Sequence, residues 1–395
     1  MKYCIVIPDG AADLPVAALG DKTPLEAAHK PNMDRAAREG LLAQVCTVPR
    51  RMEPGSDVAM MSIVGYDPAQ YYSGRAPLEA ADLGVELGEK DWAFRCNLIT
   101  TDGHALTDYC SGHITTEEAG LLVQSLNEKL GGPNVKFHTG TGYRHLMVYA
   151  PAQPLAVETS PPHQVVGEPL ASIYPRGKGS EKLVELIQRS AEVLEGHEVN
   201  ATRRSQGKNP ANRIWLWGEG RRPHMEPFAQ KYRVKGAVIS AVNLVRGIAK
   251  LIGWDIVRVP GITGYLDTDY AAKGRYAIEA LRTYDLVLVH VEAPDEAAHD
   301  GNAKAKVEAI ERVDADIVGP LMAAAPEFDA LRIMVLPDHL TTVEQGRHTR
   351  GLVPLAMWGA GVEARSGMSF TESYAAESEV VWDKGHDLMA SFLHP

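Results

Sequence analysis

Seven side chains that can bind a divalent metal or a phosphoryl group lie where predicted strands end. Asp9 follows the apolar run 3–7, and Ser56 follows Pro54-Gly55 at the predicted start of a helix. The other five come after the later predicted strands 285–291 and 331–336; they are Asp295, His299, Asp338, His339 and His348. In an open α/β sheet, ligands bind outside the carboxyl ends of the strands. Carboxylates and imidazoles that converge there beside a hydroxyl predict a two-metal site for phosphoryl transfer.

The spacing of these residues indicates how they could share two ions. Asp295 and His299 are four residues apart, so they fall on one face if a helix starts there, and His348 could complete a set of three protein ligands. Asp338 and His339 are neighbours, which point in different directions in an extended strand but can turn toward one ion in a loop. Two divalent ions about 3.5–4 Å apart would stabilise both the attacking and the leaving oxygen at phosphorus.

Ser56 is the predicted nucleophile of this site. Coordination to a divalent cation makes a serine alkoxide accessible near neutral pH. The start of a helix adds free backbone N–H groups for phosphate oxygens, so a phosphoserine intermediate is expected. Taken alone, Ser56 is most simply an N-cap and Asp9 in Pro-Asp-Gly a turn residue. Their joint position at predicted strand ends favours the functional interpretation.

Five basic residues are candidates for binding the phosphate or carboxylate of a substrate, because guanidinium groups suit both anions. A single Arg or Lys is usually only a solvated charge, so residue type alone nominates them. These candidates are Arg95, Arg144, His145, Arg213 and Lys235.

The composition narrows the class of protein. A chain of 395 residues has room for two domains, and the formal net charge of −11, without a basic stripe, argues against a nucleic-acid binder. The four cysteines form no Cys-x-x-Cys pair, which is typical of reduced thiols in a cytosol. No run approaches the roughly 18 apolar residues of a membrane span. We therefore expect a cytoplasmic protein whose partner is a small phosphorylated metabolite rather than a nucleic acid or a membrane.

The alternation of strands and helices predicts an α/β fold that is interrupted by an insert. Residues 1–85 and 190–395 are predicted to form one discontinuous metal-binding core, and 86–189 a smaller α+β cap of short strands around one helix. Within the core, the pattern predicts helices over 23–40 and 237–252 and a strand over 255–259.

Six segments together resemble a known family: the archaeal-type, cofactor-independent phosphoglycerate mutases of the alkaline phosphatase superfamily. They occur in the same order along nearly the whole chain and read Pro8-Asp9-Gly10, Lys22-Thr23-Pro24-Leu25-Glu26-Ala27-Ala28, Pro54-Gly55-Ser56-Asp57-Val58-Ala59, Gly74-Arg75-Ala76-Pro77-Leu78-Glu79-Ala80, Asp295-Glu296-Ala297-Ala298-His299 and Pro337-Asp338-His339. The resemblance implies an alkaline-phosphatase-like core, with a mainly parallel sheet sandwiched by helices, and a smaller inserted cap domain.

The resemblance also implies a reaction and a division of the ligands. The reaction is interconversion of 3-phosphoglycerate and 2-phosphoglycerate in glycolysis and gluconeogenesis, with a serine carrying the phosphoryl group and without 2,3-bisphosphoglycerate as cofactor. One metal would be held by Asp295, His299 and His348, and the other by Asp9, Ser56, Asp338 and His339. Mn²⁺ is favoured, with Mg²⁺, Zn²⁺ or Co²⁺ as alternatives. The cap is expected to close over the site and exclude water, because hydrolysis of phosphoserine would turn the mutase into a phosphatase.

One departure from the family pattern keeps other functions open. Archaeal mutases of this type tend to carry an Asp-Arg-Arg-Ala-Gly-Arg-like run where this chain has Asp108-Tyr109-Cys110-Ser111-Gly112-His113. This version resembles a bacterial branch for which a homoserine kinase role has been proposed. The alternatives are phosphoryl transfer to homoserine, another metal-dependent phosphatase or phosphopentomutase, and a binding protein that keeps only the fold. A sulfatase is disfavoured because the Cys-x-Pro-x-Arg sequence is absent, and no P-loop is present for a nucleotide.

Overall fold

The chain folds into two compact units. A computed structural model describes residues 1–365 and 367–394. The first unit comprises 1–72 and 224–395, and the second comprises 73–223. This insert is longer at both ends than the predicted 86–189. At its C-terminal end it includes the strand over 213–220, because this strand pairs with the strand over 92–101 in the sheet of the insert.

The strands form one large sheet of the first unit, one five-stranded sheet of the insert and two small two-stranded sheets. In chain order they are β1 (Lys2–Pro8), β2 (Leu41–Val45), β3 (Trp92–Thr101), β4 (Leu106–Asp108), β5 (Val135–Thr141), β6 (Arg144–Tyr149), β7 (Ala156–Glu158), β8 (Arg176–Lys178), β9 (Arg213–Gly220), β10 (Gly236–Ile239), β11 (Asp255–Ile256), β12 (Leu286–Val291), β13 (Leu331–Val335), β14 (Leu340–Thr342), β15 (Arg347–Thr349), β16 (Val353–Gly359) and β17 (Val381–Trp382).

The helices of the first unit cover the large sheet, and those of the insert pack on its own sheet. In chain order they are α1 (Pro24–Ala27), α2 (Pro31–Glu39), α3 (Ser56–Ile63), α4 (Pro68–Tyr71), α5 (Arg75–Leu83), α6 (Thr116–Leu130), α7 (Leu170–Ile173), α8 (Ser180–Leu194), α9 (Glu198–Ser205), α10 (Phe228–Tyr232), α11 (Asn243–Leu251), α12 (Tyr270–Thr283), α13 (Ala293–His299), α14 (Ala303–Val313), α15 (Gly319–Ala323), α16 (Glu372–Ala376) and α17 (Leu388–Leu393). In the described part of the chain, no helix has the length and apolar character needed to cross a bilayer.

The large sheet is mostly parallel, as predicted. Its eight strands run in the order β11-β10-β12-β1-β13-β16-β2-β17, and only the pairs of β16 with β13 and with β2 are antiparallel. Strand β12 lies near the middle and reads Leu-Val-Leu-Val-His-Val, with every residue buried. Continuous runs of branched apolar residues are typical of parallel strands that are covered on both faces. The order places the carboxyl ends of β12, β1 and β13 side by side.

Two predicted helices of the first unit are wrong in their bounds. The predicted helix over 23–40 is divided into α1 and α2, because Pro31 disfavours helical backbone at Lys30, and Lys30 is not helical. The start signal at Thr23 is confirmed, since Thr23 and Glu26 form a reciprocal capping box. The predicted helix over 237–252 begins with strand β10, and α11 follows only from Asn243. The predicted strand over 255–259 is shortened to β11.

The insert has its own hydrophobic core. Strands β3, β4, β5, β6 and β9 form its sheet, and β3 pairs antiparallel with both β6 and β9. Helices α6 and α8 cover one face, where side chains such as Phe94, Leu122 and Leu186 are buried together. Helix α5 packs against part of the other face through Ala76 and Ala80.

Candidate metal centre

The ends of three adjacent parallel strands bring the predicted ligands together. Pro8 at the end of β1 is paired with Val291 at the end of β12, and Val6 is paired with Val335 at the end of β13. The residues that follow these strands therefore meet at one edge of the sheet. Asp9, Asp295 and Asp338 lie there, and all three are buried.

Asp295, His299 and His348 form a first group of ligands. The Asp295 Oδ2 atom lies 3.2 Å from His299 Nε2, and Asp295 Oδ1 lies 3.5 Å from His348 Nε2. The two Nε2 atoms are 3.0 Å apart. One ligand atom from each residue lies within 4.8 Å of the others, which is a cluster that could hold one metal ion.

Backbone carbonyls fix how the two imidazoles of this group are oriented. His299 Nδ1 lies 2.8 Å from the carbonyl oxygen of Gly346, and His348 Nδ1 lies 3.3 Å from that of Pro54. A carbonyl oxygen only accepts, so each Nδ1 carries a proton, and Nε2 is the atom of each ring that is left to bind a metal ion. Hydrogen bonding of the second ring nitrogen to a carbonyl is the usual support of a metal-binding histidine.

A second group surrounds Ser56. The Ser56 Oγ atom lies 3.3 Å from Asp9 Oδ2 and 3.2 Å from His339 Nε2. His339 Nε2 lies 3.4 Å from Asp338 Oδ2 and 3.6 Å from Asp9 Oδ1. Ser56 is the first residue of α3, so the prediction that it opens a helix is confirmed.

Unpaired oxygens show that this second group also suits a cation. Asp338 Oδ1 accepts the backbone N–H groups of Gly10 and His339 at 3.0 and 2.9 Å. Its Oδ2 and the Oδ1 of Asp9 are buried and have no hydrogen-bond partner among the described residues. A buried carboxylate oxygen without a partner is costly. A divalent ion would satisfy both atoms, so the residues present fit two metal ions.

The electrostatics of the two groups differ. Burial, and then the charges of Asp338 and Asp295, raise the pKa of Asp9 well above its usual range. Burial also acts to raise the pKa of Asp295, but hydrogen bonds with His299 and His348 outweigh it and hold that pKa well below the usual range. The contact with Asp295 raises the pKa of His299 to about 9. The raised pKa of Asp9 and the raised pKa of His299 both indicate that these carboxylates favour a positive charge beside them.

Three further residues support the ligands, although their role is not predicted from the sequence. Thr341 donates its hydroxyl to Asp295 Oδ1 at 2.5 Å, and His290 Nε2 lies 2.9 Å from Asp9 Oδ2. Burial lowers the pKa of His290 to about 4, so this imidazole is neutral. Gly10 has a φ of 59°, and a Cβ there would lie 2.4 Å from Asp295 Oδ1. His290 lies inside an apolar strand and Thr341 resembles any β-branched strand residue, so neither stands out in the sequence. Gly10 belongs to the segment Pro8-Asp9-Gly10, but its contact with Asp295 depends on the tertiary structure.

Two of the predicted substrate-binding residues share one face of the insert sheet. Arg144 is opposite Asn97 and Arg95 is opposite Leu146 in the β3–β6 ladder, so the two arginines are diagonal neighbours. Arg95 is buried, pairs with Glu79 at 3.1 Å and lies 4.1 Å over the ring of Trp217. Arg144 is exposed, and no carboxylate among the described residues pairs with it.

His163 lies beside this surface, although the sequence did not single it out as a substrate-binding residue. Burial and then the charges of Arg95 and Arg75 lower the pKa of His163. The rings of His163 and Trp217 are 5.7 Å apart. Arg95 and Arg144 on this face therefore lie beside aromatic rings, those of Trp217 and Tyr143.

The assignment of His145 to this surface is corrected, whereas Arg213 is opposite Ile99 in the β3–β9 ladder and shares the sheet face of Arg95. His145 is opposite Cys96, so its side chain faces the apolar core that α6 and α8 cover. Its Nδ1 accepts the backbone N–H of Gly140 at 3.0 Å, and burial lowers its pKa to about 4. Arg213 lies four residues before Trp217 on β9, or about 13 Å along the strand at 3.3 Å per residue, and its Nη1 contacts the hydroxyl of Tyr174.

The prediction for Lys235 is also corrected. Lys235 directly precedes β10, which runs parallel to β12 with Gly236 paired to Leu286. It therefore lies at the amino edge of the sheet, while Asp9 and Asp295 lie at the carboxyl edge. Its Nζ packs 4.8 Å from the ring of Tyr284.

The segment that departs from the family pattern is an ordered loop. Asp108 accepts the backbone N–H of Cys110 at 2.8 Å and of Gly112 at 2.6 Å. Ser111, Gly112 and His113 all have positive φ angles between 50° and 58°. The buried guanidinium of Arg203 donates to the carbonyl of Ser111 at 2.6 Å.

Comparison with known proteins gives one consistent family. A family model described as 2,3-bisphosphoglycerate-independent phosphoglycerate mutase matches residues 37–200. The chain is 48% identical over 396 residues to the mutase 2 of that name from Methanothermobacter thermautotrophicus, covering 100% of this chain and 98% of the relative. It is 44% identical over 398 residues to a probable mutase of the same type from Geobacter sulfurreducens, with 100% of both chains covered.

Solved structures agree with the fold. A protein from Pyrococcus horikoshii is 31% identical and superposes with a TM-score of 0.83 over 99% of this chain and 96% of that one. The cofactor-independent phosphoglycerate mutase from Thermoplasma acidophilum is 26% identical, with a TM-score of 0.69 over 100% of this chain and 99% of that one.

Proposed function

Since the chain belongs to the family of 2,3-bisphosphoglycerate-independent phosphoglycerate mutases, we propose that it interconverts 3-phosphoglycerate and 2-phosphoglycerate at the metal centre, with Ser56 as the nucleophile. The observation that carries this proposal is the position of the Ser56 hydroxyl, 3.3 Å from Asp9 and 3.2 Å from His339. Both of those ligands are buried at the carboxyl edge of the sheet.

Two divalent ions fit the ligand groups. Asp295, His299 and His348 would hold one, and Asp9, Ser56, Asp338 and His339 the other. When bound, the ions supply positive charge that lowers the pKa of the serine hydroxyl and neutralises the phosphoryl oxygens. The resemblance to the family favours Mn²⁺, with Mg²⁺, Zn²⁺ or Co²⁺ as alternatives. No 2,3-bisphosphoglycerate is needed, because the serine itself carries the phosphoryl group.

The reaction needs two displacements at phosphorus. The Ser56 oxygen attacks the phosphorus of 3-phosphoglycerate, the bond to the C3 oxygen breaks, and the serine proton passes to that oxygen to give glycerate and phosphoserine. The C2 hydroxyl of glycerate then attacks phosphoserine, and its proton returns to Ser56. The second displacement gives 2-phosphoglycerate and restores the enzyme, so atoms and charges balance over the cycle.

The basic face of the insert suits the rest of the substrate. We propose that Arg95 and Arg144 bind the carboxylate of glycerate. Guanidinium groups hold carboxylates through two parallel hydrogen bonds, which would fix the orientation of the bound glycerate. Arg144 is free for this role because no carboxylate among the described residues pairs with it.

The four cysteines are all unpaired. Together with a phosphorylated glycolytic substrate, this supports our proposal that the enzyme acts in the reducing cytoplasm.

The decisive experiment is ³¹P NMR of Mn²⁺-loaded protein with 3-phosphoglycerate, and separately with homoserine plus ATP. We expect a 2-phosphoglycerate signal and little free phosphate in the first sample. Ser56→Ala should abolish turnover and the acid-stable phosphoserine of quenched samples. Ser62→Ala is the matched control, since Ser62 lies in the same helix and its hydroxyl has no hydrogen-bond partner among the described residues.

Two results would contradict the proposal. Phosphohomoserine without 2-phosphoglycerate would mean that homoserine is the acceptor. Mutase turnover near wild type in Ser56→Ala would exclude the covalent route even if the reaction itself is correct.

A further inference from the structure

One hydroxyl contacts a ligand from each of the two metal groups. Thr341 Oγ1 lies 2.5 Å from Asp295 Oδ1 and 3.1 Å from His339 Nδ1. Asp295 belongs to the first group and His339 to the second. Thr341 itself is buried and follows His339 by two residues, in the short strand β14.

The directions of these two hydrogen bonds are determined by chemistry. A hydroxyl has one proton, and an ionised carboxylate only accepts, so Thr341 donates to Asp295. The hydroxyl oxygen must then accept from His339, which means that the proton of His339 is on Nδ1. The Nε2 lone pair is left facing Ser56 Oγ at 3.2 Å. One threonine thus fixes both the position of a carboxylate and the tautomer of an imidazole.

The surroundings hold Thr341 in place. Its carbonyl oxygen accepts from the Lys306 ammonium at 2.7 Å, and its N–H donates to the carbonyl of Ala12 at 3.1 Å. Lys306 is fully buried and is neutralised by Asp13, 2.8 Å away. Asp13 also accepts the backbone N–H of Val343 at 3.1 Å. Lys306 on α14 therefore connects the loop after β1, through Asp13, to β14, through the carbonyl of Thr341.

The backbone leaves room for this arrangement. A Cβ on Gly10 would lie 2.6 Å from Thr341 Oγ1 and 2.4 Å from Asp295 Oδ1. The absence of a side chain at Gly10 therefore permits the hydrogen bond between Thr341 and Asp295 beside the loop that carries Asp9.

We propose that Thr341 is a positioning residue that couples the two metal sites, holding Asp295 for one ion and orienting His339 for the other. This role of Thr341 in metal binding does not depend on which reaction the metal centre catalyses. Only its effect on catalysis rests on the proposed function. Loss of the hydroxyl leaves Asp295 less constrained and frees His339 to adopt the other tautomer. Outer partners of this kind typically change metal affinity by about 10–100-fold.

The test is a titration of metal-free protein with Mn²⁺, in which the EPR signal of free Mn²⁺ reports how much metal is bound. We expect Thr341→Val to weaken both binding events by about 10-fold or more, and Thr341→Ser, which keeps the hydroxyl, to restore them. The matched control is Thr342→Val, because Thr342 is buried next to it but donates only to the carbonyl of Arg347. Circular dichroism of the metal-free variants checks that each is folded.

The outcomes separate this inference from the proposed function, because no substrate is present. Binding of two ions by Thr341→Val within two-fold of wild type would overturn the inference, as would an equal loss in Thr342→Val. Weakening of one binding event only would overturn the coupling. If wild type binds two ions but does not form 2-phosphoglycerate, the function fails while the role of Thr341 stands.

Discussion

The Nε2 atom of His290 lies 2.9 Å from Oδ2 of Asp9, inside the central strands of the sheet. His290 is on β12 and Asp9 follows β1, so the contact exists only because these strands are parallel neighbours. Its other ring nitrogen lies 3.2 Å from the hydroxyl of Ser240, which follows β10. Three adjacent strands thus supply a buried chain of hydrogen bonds that ends on a metal ligand.

Replacing His290 should weaken one metal site more than the other. His290→Leu removes the support of Asp9, so the affinity of the Asp9 group for Mn²⁺ should fall by about 10–100-fold. The group of Asp295, His299 and His348 does not contact His290 and should keep its affinity. A Mn²⁺ titration with two resolved binding events checks this. His145→Gln, another buried histidine, serves as control and should leave both events unchanged.

A second prediction concerns the glycine beside the ligands. Gly10→Ala places a Cβ 2.4 Å from Asp295 Oδ1 and should displace that carboxylate, reducing bound metal and mutase activity by at least 10-fold. Gly20→Ala is the control, because Gly20 also has a positive φ, 69°, but no atom lies within 4 Å of the added Cβ. Both variants carry the backbone cost of about 1 kcal/mol for a left-handed alanine. The Mn²⁺ content of both variants is measured after gel filtration. Equal amounts of Mn²⁺ in Gly10→Ala and Gly20→Ala would contradict the prediction.

Much of the metal centre could be predicted because its ligands occur in local sequence patterns. Asp9 and Asp338 directly follow apolar strand runs, and Asp295 and His299 have helical spacing, so each position was predictable without tertiary information. His290 and Thr341 were not, since their roles arise from which strand is the neighbour of which. Hydrogen bonds between residues 281 positions apart, such as that between His290 and Asp9, leave no pattern in a single sequence.

The substrate-binding residues were harder to predict for two physical reasons. Lys235 was chosen by charge alone, although its place before a parallel strand puts it at the edge opposite to Asp9. His145 lies one residue from Arg144 and therefore points to the opposite face of its strand. Which face of the sheet is covered by helices depends on tertiary packing. Neighbouring residues on a strand face opposite sides, so one can be buried while the next is exposed.

The assignment of Arg144 gives a kinetic prediction. Arg144→Ala should raise KM for 3-phosphoglycerate by about 10–100-fold, because a hydrogen bond to a charged group contributes roughly 1.5–3 kcal/mol. Lys235→Ala should leave KM within about two-fold, since Lys235 precedes β10 at the amino edge of the large sheet, opposite to Asp9. Steady-state kinetics of both variants decides the matter. Equal effects on KM would show that the diagonal pair of Arg95 and Arg144 is not the carboxylate site.

His145 provides a prediction of pH-dependent stability. Burial lowers its pKa from 6.5 to about 4, so the unfolded chain binds more protons than the folded chain between these values. The free energy of unfolding must therefore rise with pH across this window and fall as the pH drops below 6.5, by at most about 1.4 kcal/mol per pH unit. His145→Gln keeps an acceptor for the Gly140 N–H but cannot be protonated. In urea unfolding of metal-free protein, wild type should lose stability relative to this variant between pH 6.5 and 4.5. A constant difference over that range would show that His145 is not buried as a neutral ring, and the sheet face assigned to it would then be wrong.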